Sequence, residues 1–199
     1  MAPRSDARER LIQAAIDLIW TSSYGAVSVD AICERAGVRK GSFYHFFTSK
    51  DELVVAALET HWDGRRPVLD DIFSASRAPL DRLRRYFDYV VERQTQVKAT
   101  YGRVLGCFHN SIGCECVQQP SEIAAKAQEV ILSLRRYLES AIRDAQASGE
   151  LRPGDPCSDA KTLFAFVQGA LIQARVHDDL DILRRIPLTA FALIGAQAA

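Results

Sequence analysis

Apolar residues recur along this chain at helical spacing and almost never at alternate positions. In residues 5–22, Leu11, Ala14, Ala15, Leu18 and Ile19 line one face, with Ser5 expected as the N-cap and Asp6 in the first turn. The stretch "SSYGAVS" interrupts the pattern, and Ser28 restarts it as the expected cap of a short helix, Val29–Ala36, closed by Gly37. A second short helix is predicted over Lys40–Phe47. Ser49 and Glu52 stand at the S-x-x-E capping-box spacing and open a long helix predicted to reach about residue 74.

Past "SRAP" the pattern predicts a helix from Leu80 to about Val97, with Leu83, Phe87, Val90 and Val91 as its stripe. The piece "YGRVLGCFHNSIGCECV" carries a weaker helical signal, since its glycines and Asn110-Ser111 disfavour helix. Pro120 is expected to begin a long helix through Ile123, Ala127, Val130, Leu134, Leu138, Ile142 and Ala145, which Gly149 stops. "PGDP" reads as a turn, and Asp159–Val176 is apolar on more than one side. A last helical stretch covers residues 180–197, with Pro187 at a start or a kink. The expectation is an all-α chain of about nine helices, without internal repeats, in which residues 1–50 and 51–199 form two domains.

The 48% hydrophobic content of the 199 residues supports a packed core and argues against disorder. A net charge of zero argues against nucleic acid, but the average conceals an asymmetry. Residues 1–50 hold seven Lys/Arg against five Asp/Glu, and the remainder eighteen against twenty. From Arg35 to Lys50 there is no acid, only Arg35, Arg39, Lys40 and Lys50, so a local basic patch is the feature to test for. Five cysteines and a charged, helical opening without a secretory leader point to free thiols in the cytoplasm. No apolar run reaches about 18 residues, so no membrane span is expected.

Two short helices joined by a Gly-containing turn make a helix-turn-helix pattern. Phe43 and Phe47 share one face of the second helix, while Gly41, Tyr44 and His45 share the other. That outward face, flanked by Arg39, Lys40 and Ser42, suits a major-groove reader: Gly41 admits a phosphate, Tyr44 can donate or stack on a thymine methyl, and the cations neutralise backbone charge. Lys50, at the start of the following helix, offers a further phosphate contact. The competing interpretation is a solvated basic turn in a helical bundle. The acid-free, aromatic-bracketed face favours nucleic acid.

The stretch "GAVSVDAICERAGVRKGSFYHFFTSKDELV" resembles the DNA-binding domain of the TetR family of transcriptional regulators, over roughly residues 8–55. Ser28, Ile32, Ala36-Gly37-Val38, Lys40-Gly41, Tyr44, Phe47, Lys50 and Leu53 carry the resemblance, with Leu11 and Ala14-Ala15 in the preceding helix. Arg39, Thr48 and Cys33 depart from the residues frequent in that family, and Arg39 adds a potential bidentate guanine reader. The resemblance implies a homodimer that binds double-stranded DNA at a palindromic operator, usually as a repressor. Ser28, Arg39, Lys40, Gly41, Ser42, Tyr44, His45 and Lys50 would form the DNA-binding surface. It further implies a C-terminal domain that binds a small-molecule or reactive-species effector and holds the dimer interface. The apolar helix Asp159–Val176 and the last helical stretch support that interface independently, with Phe164, Val167, Leu171, Phe191 and Ile194 as candidates. The competing interpretation is a buried core pair in a monomer, and a four-helix dimer bundle is favoured over it.

Trp62, Phe73, Tyr86, Tyr89, Tyr101, Phe108 and Tyr137 are candidates for lining an effector pocket, with Arg175 and His177 as polar contacts. In "GCFHNSIGCECV", Cys107 and Cys114 lie seven apart, as do His109 and Cys116. Three readings compete for them: small buried hydrophobes, a thiol sensor of oxidants or electrophiles, and a metal site. A Gly-Cys near this position also resembles a subgroup of the family in which that cysteine senses reactive species. No cofactor is expected and no catalytic motif is present: there is no G-x-S-x-G, G-x-G-x-x-G, P-loop or H-E-x-x-H. A thiol-based stress or metal-binding protein is the alternative to a regulator, and it would have no need of the basic helix-turn-helix.

Overall fold

A computed structural model describes residues 4–116 and 121–196, with side chains from Asp6 onward. The helices are α1 (Arg4–Thr21), α2 (Val29–Ala36), α3 (Lys40–Phe43), α4 (Lys50–Asp63), α5 (Arg66–Ile72), α6 (Pro79–Tyr101), α7 (Phe108–Glu115), α8 (Glu122–Ala147), α9 (Pro156–His177), α10 (Asp181–Arg184) and α11 (Ile186–Leu193). Among the described residues the only extended pairing is an isolated bridge between Leu151 and Ala196. No helix among them is long and apolar enough to cross a membrane.

The chain is all-α, as the periodicity predicts, with more breaks than expected. The long helix from Ser49 ends at Asp63 because Pro67 has no N–H to continue the ladder, so α4 and α5 are separate. The C-terminal stretch divides in the same way, with Pro187 in the first turn of α11. The second short helix closes at Phe43 and continues only as turns. α1 begins at Arg4, so Ser5 lies inside it and is not its cap. The expected start of α8 at Pro120 lies outside the described residues.

Two caps form where their residues predict them. Ser28 Oγ accepts from the Ala31 N–H at 3.1 Å, and Ser49 Oγ from the Glu52 N–H at 3.1 Å. The capping box at α4 is displaced by one residue. The Glu52 carboxylate accepts from the Thr48 N–H at 2.6 Å and its hydroxyl at 2.7 Å, and these bonds hold the carboxyl below its ordinary pKa.

The described residues form two compact units. The first comprises residues up to Arg65 together with Phe108–Val130, and the second Arg66–Cys107 together with the residues from Ile131 onward. In the first, α1 packs on α2 and α4, which draws α4 in with the helix-turn-helix. Leu11, Ala15, Ile32, Phe43, Leu53, Val54 and Leu58 fill its centre. In the second, α6 packs on α5, α10 and α11, and α9 packs on α10 and α11, around Leu83, Phe87, Val97, Leu163 and Val167. Burial of each such side chain contributes about 1.5–3 kcal/mol.

Candidate nucleic-acid interface

The first unit builds a helix-turn-helix from its apolar centre outward. Ile32, Ala36, Phe43 and Phe47 are buried, and the Phe43 and Phe47 rings lie 5.9 Å apart. Gly37 turns the chain between the two helices at φ 62°, where a side chain would be strained, and its N–H closes α2 onto the Glu34 carbonyl. This packing directs Arg39, Gly41, Tyr44 and His45 to solvent, with Tyr44 55% exposed although it is a large aromatic residue. Space around Gly41 is open, and nothing lies within 4 Å of where a Cβ would be. A planar donor, an aromatic hydroxyl and a bare backbone exposed together on α3 and its two caps can meet base edges and a phosphate.

The predicted contact residues do not all stand alike. Ser28 and Ser42 are placed at the start of α2 and within α3, and Ser28 serves as a cap. Lys40 Nζ lies 2.8 Å from Asp30 Oδ1, which holds its ammonium above the ordinary lysine pKa. Lys50, expected as a phosphate contact, is turned inward. Its Nζ donates to the Tyr24 carbonyl at 2.7 Å and the Val27 carbonyl at 2.9 Å, and stands 3.9 Å from the Tyr24 ring centroid. Its placement is that of a clamp on the loop before α2.

α7 belongs to this same unit. Its His109 is fully buried, and the Nε2–H donates to the Leu58 carbonyl of α4 at 3.0 Å. That bond fixes the tautomer, and burial pushes the imidazole pKa down to about 3, so the ring is neutral. The His61 and Phe108 rings pack against it at tilted or edge-on angles, with His61 and His109 centroids 5.0 Å apart, and Trp20 lies beyond them, 5.7 Å from Phe108. His109 is a core residue with its donor used, and Phe108, proposed for a pocket, is fully buried in this cluster. Trp62 is likewise buried within the first unit.

The remaining sensor candidates are separated by type. Cys114 is exposed, Cys116 is half-buried with its thiol pKa pushed up by burial, and Cys107 is half-buried immediately before α7. Among the described residues no group of three or more His, Cys, Asp or Glu is arranged to hold a metal ion. The segment leading to Cys107 is rigidly held within the second unit. The buried Gln94 donates to the Gly106 carbonyl at 3.0 Å and accepts from its N–H at 2.9 Å. Gly106 has φ 70°, and a Cβ there would meet the Leu171 carbonyl at 3.3 Å. Sequence reasoning missed Gln94, because a glutamine in a helical stripe carries no spacing signal.

Of the pocket candidates, the second unit brings together Phe73, Tyr86 and Tyr137, with ring centroids of 5.6 Å and 5.2 Å from Phe73. The Tyr137 hydroxyl donates to Asp70, and burial together with that carboxylate pushes its pKa up to about 12. Tyr89, Tyr101 and Arg175 are half-buried, and His177 is exposed at the end of α9. The residues expected at a dimer interface pack within this unit. Val167 and Ile194 are fully buried, Phe164 is 8% and Leu171 6% exposed, and Phe191 packs edge-on against Phe87 at 5.6 Å, all within the second unit. The exposed apolar residues on these helices are instead Ile172, Val176, Leu188 and Leu193.

Comparison with known proteins agrees with this architecture. Residues 11–57 match the family described as bacterial regulatory proteins, tetR family, and residues 79–188 match the tetracyclin repressor-like C-terminal domain. The chain is 32% identical over 187 residues to the transcriptional regulator AcuR of Cereibacter sphaeroides, covering 93% of this chain and 81% of that protein. It is 24% identical to the HTH-type transcriptional repressor NemR of Escherichia coli K12, covering 89% and 88% of the two chains. Among solved structures, regulatory protein TetR from Rhodobacter sphaeroides superposes with a TM-score of 0.82 at 30% identity, covering 94% and 98%. The reduced form of E. coli NemR shares the fold with a TM-score of 0.84 at 23% identity, covering 98% and 100%. Two family models together spanning most of the chain, and a relative 32% identical over 93% of it, establish that the chain belongs to the TetR family of transcriptional regulators.

Proposed function

We propose that the protein is a cytoplasmic, homodimeric repressor that binds a palindromic operator through α3 and leaves it when an effector acts on the C-terminal region. In this reading residues 1–50 carry the operator contacts, and residues 51–199 hold the effector site and the dimer contacts. The observation that carries it is the outward face of α3, where Tyr44 is 55% exposed beside Arg39, Gly41 and His45 on a fully buried Phe43. Half-buried Cys107, placed after the clamped Gly106 and directly before α7, supports a thiol-reactive effector. A covalent change at this residue would act where the chain passes into a helix that is hydrogen-bonded to α4.

Selection of duplexes from random sequence by the full protein tests the DNA-binding part: an enriched inverted repeat is expected. Treating the bound complex with N-ethylmaleimide tests the signal. Release from DNA by the parent protein but not by a Cys107→Ser variant is expected, and equal release from both would remove Cys107 from the mechanism.

A further inference from the structure

The loop Ser22–Ser28 joins α1 to α2 and so fixes where α2, and through it α3, begins. It is gripped at three points. Lys50 holds the Tyr24 and Val27 carbonyls, and the Tyr24 hydroxyl donates to Asp51 Oδ1 at 2.5 Å. The third grip comes from far along the chain: the Tyr24 backbone N–H donates to Glu115 Oε2 at 2.8 Å. Glu115 is the last residue of α7 and lies outside residues 11–57, which match the DNA-binding family.

An acid is electrostatically misplaced at that position, because the C-terminal end of a helix carries partial negative charge. Here the carboxylate has two compensations, the Tyr24 N–H and the Lys50 ammonium; burial pushes the Lys50 pKa down, and the Glu115 charge, with that of Asp51, opposes this. It is also presented from a held element, since the other end of α7 is tied to α4 through His109 and Leu58. A charged acceptor makes a stronger bond to a loop amide than a neutral one.

We propose that Glu115 is a positioning residue for operator binding: its carboxylate holds the Tyr24 loop in the geometry from which α2 and α3 engage DNA, which makes α7 a working part of the DNA-binding unit. The proposal rests on the DNA-binding reading of α3. It also gives α7 a direct route to the operator surface, since any shift of its C-terminal end pulls on the loop that sets α2.

The test turns on a sign. An anionic side chain near a basic DNA-binding face repels phosphates, so loss of its charge alone tightens binding. Loss of positioning weakens it. Glu115→Ala removes both charge and acceptor and is expected to bind about three- to tenfold more weakly, the scale of one typical net hydrogen bond. Glu115→Gln keeps an acceptor oxygen without the charge and is expected to bind as tightly as the parent or more tightly. The probe is a duplex selected from random sequence by the parent protein, and both variants should keep the parent's salt slope because no phosphate contact is lost. Amide hydrogen exchange at Tyr24 should quicken in the alanine variant and not in the glutamine variant. An alanine variant that is folded and binds at least as tightly as the parent overturns the proposal. Should that variant fail to fold, Glu115→Asp, one methylene shorter, is compared with Glu115→Gln, and equal affinities of the two overturn it. Failure of the parent to enrich any duplex overturns the DNA-binding reading itself, and the positioning role with it.

Discussion

At the scale of single residues, what a side chain touches decides its role more than its charge does. Arg39 and Lys50 are both cations flanking α3, yet Arg39 is exposed at the helix start whereas Lys50 has its ammonium on two carbonyls. Arg39→Ala is expected to leave stability within about 0.5 kcal/mol and to relax preference at one base position. Lys50→Ala should lower stability by about 1–2 kcal/mol in urea unfolding, because two loop carbonyls lose their donor. Equal stability of the two variants would reject the clamp. His109 adds a pH signature. Its folded pKa of about 3 lies below the ordinary value of 6.5, so the unfolded chain takes up the proton first as pH falls. Stability is therefore intact above about pH 6.5 and declines below it, by about 1.4 kcal/mol per pH unit from this group, until the folded pKa is reached. His109→Gln, which keeps a donor for the Leu58 carbonyl, should flatten that dependence by one proton between pH 6 and 4. An unchanged slope would place the proton elsewhere.

At the scale of elements, the helix-turn-helix was legible because its information is local: Ser28, Gly37 and the Phe43/Phe47 pair each fix backbone or packing within a few residues. The breaks at Pro67 and Pro187 were also written in the sequence, and the periodicity alone ran α4 past the first of them. What could not be read was long-range pairing. Gln94 reaches Gly106, Glu115 reaches Tyr24, and His109 reaches Leu58, each across a separation no periodicity encodes. In the same way, an apolar helix does not announce which of its faces its own chain covers. The segment before α7 carries a prediction of its own. Gly106→Ala forces a side chain into φ 70° and against the Leu171 carbonyl, and should cost about 1–3 kcal/mol. N-Ethylmaleimide labelling of Cys107 should quicken in that variant as the clamp loosens. Unaltered stability and labelling would show that Gln94 does not hold this segment.

At the scale of the whole molecule, the second unit has two apolar sets on α9 and α11, one interior and one exposed. Phe164, Val167, Leu171 and Ile194 fill the unit, while Ile172, Val176 and Leu188 face outward at 48%, 66% and 81% exposure. On α9 the exposed set continues through Ala165 and Gly169, which with Ile172 and Val176 recur at helical spacing and present a flat stripe of small and branched residues. Exposed apolar residues on neighbouring helices are what a second copy would cover, and small residues allow close approach of helices. The two sets respond oppositely to the same substitution. Val176→Glu or Leu188→Glu should keep the fold and unfolding midpoint while converting dimers to monomers in sedimentation. Operator affinity should fall steeply with them, because a lone α3 reads only a half-site. Val167→Glu should instead unfold the unit, since it buries an unpaired carboxylate. Folded dimers from both surface variants would move the interface away from α9 and α11.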